Sequence, residues 1–242
     1  MREVKKFKPE IIYHCAAELK DEEKMTESNV LLTVALLEAT KDIHYKAFVN
    51  LGSSSEYGPR NEPIKENMVL RPTTLYGATK AQATVACQNF AIRNAKPIIT
   101  LRPFSPFGPG EKEDRLIPTA IRLCLIGKKM KLGRGVHDFI YVDDVIRAMF
   151  MFAGKPINEI CGEVVNIASG IEVSNDEIIK TVERLCGKKM KIERIDRFHN
   201  YDTDHWVADI GRALSFGWCP TVDLDEGIER MIDAYRSENK SK

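Results

Sequence analysis

Near-continuous apolar runs short enough to be strands alternate with helix-length amphipathic stretches, and this alternation most constrains the fold. IIYHCAA (11–17), AFVNLGSSS (47–55) and PIITLRPF (97–104) read as strands. ESNVLLTVALLEAT (27–40) and LYGATKAQATVACQNFAIRN (75–94) read as the helices between them. Strands apolar on both faces, joined by helical crossovers, predict a parallel sheet covered on both sides, a doubly wound α/β layer. After residue 104 the pattern loosens. A Pro/Gly loop, SPFGPGEKED, precedes the helix-like RLIPTAIRLCLIGKK, with Pro118 in its first turn. A strand–turn–strand follows, then a helix that Asp143 or Asp144 is placed to cap. EVVNIAS (163–169) is one more strand, and Ser174 or Asn175 could cap DEIIKTVERLCG. KMKIERI and two short helices close the chain.

The expected architecture is a Rossmann-like layer over 1–105 and 136–168 and a smaller substrate-binding lobe over 106–135 and 169–242. A cleft between two such parts is the default ligand site. Composition narrows the partners. A net charge of +1 gives no field for nucleic acid or anionic membrane, and the apolar run VLLTVALL is too short to span a bilayer. No signal peptide is expected at MREVKKFKPE. Six scattered cysteines without C-x-x-C or a Cys/His cluster point to reduced thiols, a cytoplasmic location and no metal site.

Chemistry concentrates in NLGSSSEYG (50–58) and TLYGATK (74–80). Tyr76 and Lys80, at i and i+4 on a helix, share a face, and an ammonium near a phenol would lower the tyrosine pKa toward a usable acid/base range. A serine at the end of the preceding strand can hold a substrate oxygen nearby. The alternative is a serine-rich turn before an ordinary helix. A nucleophile elbow fails, because the fifth residue from Gly52 is Glu56 and not glycine.

Five motifs occur in order: H-x-A-A (14–17), G-S-S-S-E-Y-G, Y-G-A-T-K, L-R-P-F-S-P-F-G-P-G and D-F-I-Y-V-D-D-V. Together they resemble the extended short-chain dehydrogenase/reductase superfamily, and within it the NAD-dependent epimerase/dehydratase family acting on nucleotide-diphosphate sugars. The resemblance implies that Tyr76 is the acid/base and that Lys80 binds the cofactor ribose. It leaves Ser54 or Ser53 as the catalytic hydroxyl: alignment on Glu56 selects Ser54, the preferred assignment, and ungapped alignment on Gly58 selects Ser53. If Ser54 is the hydroxyl, Glu56 has the spacing of the dehydratase base, with a solvated or turn-capping carboxylate as the alternative. Cys15, Ala16, Ala17, Asn29 and Phe104 match cofactor-side positions. Asn29 could equally be a helix cap. Ser105 stands at a substrate-contacting position and His137 where the family carries a diphosphate-binding arginine, so that contact could pass to Arg134 or Arg102.

The implied cofactor is NAD or NADP and the implied substrate a nucleotide-diphosphate sugar, with a homodimer as the family-level assembly. No glycine precedes Gly52, so the resemblance lacks its glycine-rich loop, and the chain is expected to start just before the fold's fourth strand. Weak or absent dinucleotide binding by the chain alone follows. Two readings result: a nucleotide-sugar epimerase, dehydratase or 4-ketoreductase, or a truncated, non-catalytic partner subunit.

Overall fold

The computed structural model describes residues 2–196 and 205–240. A short helix, α1 (Arg2–Phe7), precedes β1 (Ile11–His14). Helical structure then runs through α2 (Glu22–Thr26), a π turn at Glu27–Leu31 and α3 (Leu32–Thr40), so it begins five residues before the expected start. β2 (Ala47–Leu51) stops four residues short of the expected 55, because the serines turn into a 3-10 segment at Ser54–Glu56. Next come α4 (Leu75–Asn94), β3 (Ile98–Pro103), β4 (Pro106–Phe107), α5 (Leu116–Leu125), β5 (Met130–Leu132), β6 (Val136–His137) and β7 (Ile140–Tyr141). The remainder is α6 (Val142–Ala153), α7 (Ile157–Ile160), β8 (Glu163–Ile167), β9 (Val173–Ser174), α8 (Asn175–Cys186), β10 (Ile192–Arg194), α9 (Gly211–Ser215) and α10 (Leu224–Lys240).

The main sheet has the order β1-β2-β3-β8 with every pairing parallel, so its strands are joined by crossovers rather than hairpins. Alternation along the strands sorts side chains onto two faces. Phe48 and Ile98 pack with Leu37, Cys87 and Phe90 beneath α3 and α4. Ala47, Val49, Ile99 and Leu101 pack on the other face with Val145, Ala148 and Phe152 of α6 and with Trp218. α5, α8 and α10 enclose a separate core of Ile117, Ile121, Ile178, Val182, Ile228 and Ile232, which the paired β5 and β10 border.

β1 is different. Among the described residues it pairs only with β2 and forms an edge. Ile11 and Tyr13 are exposed, and the Tyr13 ring meets the exposed Phe150 edge-on at 5.5 Å.

Capping follows the sequence in one place and departs from it in another. Ser174 caps α8 in a reciprocal box with Glu177. Neither Asp143 nor Asp144 caps α6, whose N-cap position is Tyr141. Asp144 instead accepts the backbone N–H groups of Thr221 and Val222 at 2.9 and 3.0 Å, tying the C-terminal region to α6. α10, with 17 residues, is not short.

Candidate active site

The site forms where β1 and β2 end and α4 begins. Thr74 caps α4 by accepting the Gly77 N–H at 3.0 Å, which aims the first helical turn at the serine segment. Gly77 permits the close approach: a Cβ there would lie 2.4 Å from the Ser55 carbonyl oxygen. Ser53 is extended, at φ −159° and ψ 145°, and its Oγ accepts the Ser55 N–H at 3.1 Å.

The two serines sit differently. The Ser53 side chain, not that of the preferred Ser54, is the one that acts on the Tyr76 phenol, pulling its pKa down. Ser54 lies one residue on, already inside the 3-10 turn, and is buried there.

Glu56 is fully buried. Its Oε1 accepts the Ser53 N–H at 2.8 Å and the Thr84 hydroxyl at 3.0 Å. Its Oε2 faces Arg102 in a two-pronged ion pair, 2.8 Å from both Nε and a terminal nitrogen. Burial pushes the Glu56 carboxyl up while Arg102 and these hydrogen bonds pull it down. Arg102 is buried too and donates to the Tyr57 hydroxyl at 2.7 Å, so it is not available to a diphosphate.

Lys80 is buried, and its ammonium donates to the Leu51 carbonyl at 2.5 Å. Burial lowers its pKa, with the Glu56 charge opposing. The expected lowering of Tyr76 does not emerge: burial raises the phenol, the Ser53 side chain and the nearby Arg115 pull it down, and Glu56 pushes it up. Burial is the largest influence, and Lys80 is engaged with the Leu51 carbonyl instead.

Cys15, Ala16 and Ala17 follow β1, the first two exposed and the third partly so, and the Lys80 charge acts on Cys15. His14, just before them, is buried against Thr33 Oγ1 at 2.8 Å, and burial takes its pKa down to about 4. Asn29 is not a helix cap. It accepts the Glu18 N–H at 2.6 Å and donates to the Glu18 carbonyl and Thr79 Oγ1, both at 3.0 Å. It thereby braces the 15–21 loop against α4. Phe104 is fully buried between Tyr57 and Trp206, which leaves no ring surface on the rim. Ser105 follows it at φ +27°, a conformation costly for a residue with a Cβ.

Arg134 lies between β5 and β6, and His137 ends β6. Arg134 is exposed beside a cavity of about 490 Å³ that Asp176, Arg194 and Asp196 also line. His137 pairs through the backbone with Val173, and its ring meets Phe139 at 5.4 Å. A larger groove of about 840 Å³ runs between α3 and α4 and includes none of Ser53, Tyr76 or Lys80. No group of His, Cys, Asp or Glu among the described residues could hold a metal, and no helix among them is long and apolar enough to cross a membrane.

Several contributors were not legible as such. Asp138 is fully buried and accepts from Ser169, Gly170 and Ala208. Thr84 and Asn166 join the Glu56–Arg102–Tyr57 system, and Arg115 acts on Tyr76. Asp138 stood in the quoted D-F-I-Y motif, whereas a lone threonine or asparagine carries no signal without its partner.

A parallel α/β sheet with its polar segment at the carboxyl ends of the strands defines the doubly wound α/β class, in which ligands bind at that rim. The chain belongs, more narrowly, to the NAD dependent epimerase/dehydratase family, whose model matches residues 1–168. It is 32% identical over 219 residues to a UDP-glucuronate 4-epimerase of Thermodesulfobacterium geofontis, covering 88% of this chain and 66% of that relative. The chain thus spans just under two thirds of that relative's length. A solved UDP-glucuronic acid 4-epimerase from Bacillus cereus, in complex with UDP-glucuronic acid and NAD, superposes with a TM-score of 0.86 at 29% identity, over 95% of this chain and 76% of that one. A dTDP-glucose 4,6-dehydratase from Bacillus anthracis in complex with NAD gives 0.87 at 25%, over 99% and 76%.

Proposed function

We propose that this chain carries the catalytic half of a nucleotide-sugar 4-epimerase site. The observation that carries the reading is the close approach of the serine turn to the first turn of α4, where Gly77 meets the Ser55 carbonyl beside Tyr76, one helical turn from Lys80. Ser53 holds the sugar C4 hydroxyl, Tyr76 exchanges its proton, and Lys80 keeps positive charge beneath the rim. The epimerase is preferred to the dehydratase because the residue two places after Ser53 is Ser55, a hydroxyl, while the Glu56 carboxylate is saturated with protein donors. A 4-ketoreductase would use the same proton chemistry. The likeness to UDP-glucuronate 4-epimerases favours a UDP-linked sugar as substrate.

The residues fit the nicotinamide end of NAD. Small side chains at Ala16 and Ala17 leave room beside Tyr76 and Lys80, which would hold the ribose. Bound there, the nicotinamide supplies hydride exchange at C4. The family's glycine-rich pyrophosphate loop has no counterpart in these 242 residues, in which no glycine precedes Gly52. β1 keeps an open edge among the described residues, where a further strand could pair. Calorimetric titration of NAD⁺ into the 242-residue chain is therefore expected to show weak or no binding, and micromolar affinity would overturn this.

The same open edge favours a second reading, a partner subunit without chemistry of its own. Tyr76→Phe separates the two. It abolishes turnover of the full-length or reconstituted enzyme if the site is catalytic and leaves a partner role untouched.

A further inference from the structure

Glu56 stands in the serine segment, where a carboxylate invites the role of base. Its surroundings point elsewhere. Oε1 meets the Ser53 N–H and the Thr84 hydroxyl, and Oε2 meets Arg102 twice. The Arg102 guanidinium lies 4.6 Å from the Tyr57 ring centre and donates to its hydroxyl. That hydroxyl donates to Asn166 Oδ1 at 2.7 Å, and Asn166 donates to the Ile64 carbonyl at 2.9 Å. The network joins the β2 end, α4, β3 and β8, and every side chain in it is buried. Gly52 is shaped to it as well, for a Cβ there would lie 2.7 Å from Glu56 Oε1.

We propose that Glu56 is a positioning residue: held by Arg102, it grips the Ser53 N–H and so sets where the Ser53 hydroxyl meets Tyr76. The inference rests on the proposed proton chemistry of Ser53 and Tyr76. A buried ion pair is weak evidence of stability, but one whose remaining lone pairs are satisfied specifies a single local geometry. Misplacing a reacting group by about 1 Å can cost on the order of a hundredfold in rate. A carboxylate with both oxygens consumed by protein donors is also poorly disposed to take a proton from a sugar.

Two paired variants of the full-length enzyme isolate the grip from the charge. Glu56→Gln with Arg102→Met removes both charges and keeps an acceptor for the Ser53 N–H. Glu56→Met with Arg102→Met removes the acceptor too. The expected result is that the methionine pair has roughly tenfold lower kcat than the glutamine pair, with KM within about threefold. Its Ser53 amide should also exchange with solvent roughly tenfold faster. Equal kcat in the two pairs overturns the proposal. So does inactivity of the folded glutamine pair, which would make the carboxylate itself essential. Should the methionine pair not fold, Glu56→Asp serves: it retains the charge opposite Arg102 but retracts the carboxylate, so kcat falls with KM held, and wild-type kcat overturns the proposal. Tyr76→Phe, run beside them, tests the underlying reading separately. An active Tyr76→Phe enzyme removes that reading whatever the Glu56 series shows.

Discussion

The two rims of the sheet are built in opposite ways. At the β2–β3 end, Ser53, Glu56, Tyr57, Arg102 and Asn166 are buried and bonded to one another across four elements. At the β1 end, Ile11 is 39% exposed, Leu19 49% and Phe150 64%, and β1 has a single neighbour among the described residues. Parallel strands normally lie buried on both faces, and an uncovered edge is a site for pairing. The contrast teaches that one end of the sheet is closed by its own buried polar network, while the β1 edge has no second neighbour among the described residues.

The largest expected effect tests the built rim. Tyr76→Phe should reduce turnover of the full-length enzyme by about 10²–10⁴-fold, the usual worth of a positioned acid/base, as measured by steady-state kinetics. Ile99→Ala and Ile11→Ala compare the two rims in stability. The first empties a fully buried site and should cost about 2–5 kcal/mol; the second lies on the exposed edge and should stay within about 0.5 kcal/mol by urea unfolding. A large loss from Ile11→Ala would show that the edge is already covered in solution. Gly77→Ala forces backbone against backbone at the serine turn and should cost about 1–3 kcal/mol, read as a drop in Tm.

The smallest effect is one of pH. His14 is depressed from 6.5 to about 4, so between these values the unfolded chain binds the extra proton, and stability rises with pH. Glu111 is raised from 4.5 to about 7, mainly by burial and against Arg115. In that window the folded chain holds the extra proton, and stability falls as pH rises. The two slopes oppose each other, so the Tm of the wild type should change little between about pH 4.5 and 6.5. His14→Gln should leave a falling curve and Glu111→Gln a rising one.

The order of strands and helices was legible because it is written in local periodicity. α4 begins and ends where the 75–94 pattern does, since Thr74 supplies its cap and a buried stripe runs from Gly77 to Ala91. The helix at α3 started earlier than expected because the 22–26 segment carries no apolar pattern of its own and joins the helix through the π turn. Arg102 stood beside Arg134 as one alternative for the diphosphate contact because an arginine's partner is invisible until the fold brings Glu56 to it, 46 residues away. Asn29 and Phe104 are both buried, which their local sequence does not reveal.

By itself the sequence determined the parallel α/β layer, the serine turn, and the Tyr76–Lys80 spacing that places both on one helical face. These depend on neighbours within one or two turns. Only the tertiary structure decided that Ser53 stays extended while Ser54 enters the 3-10 turn, that Lys80 turns to the Leu51 carbonyl, and that Glu56 is spent on Ser53, Thr84 and Arg102. Each of those outcomes is a competition among donors and acceptors removed from water, and the winner is set by which distant strand end arrives beside the loop.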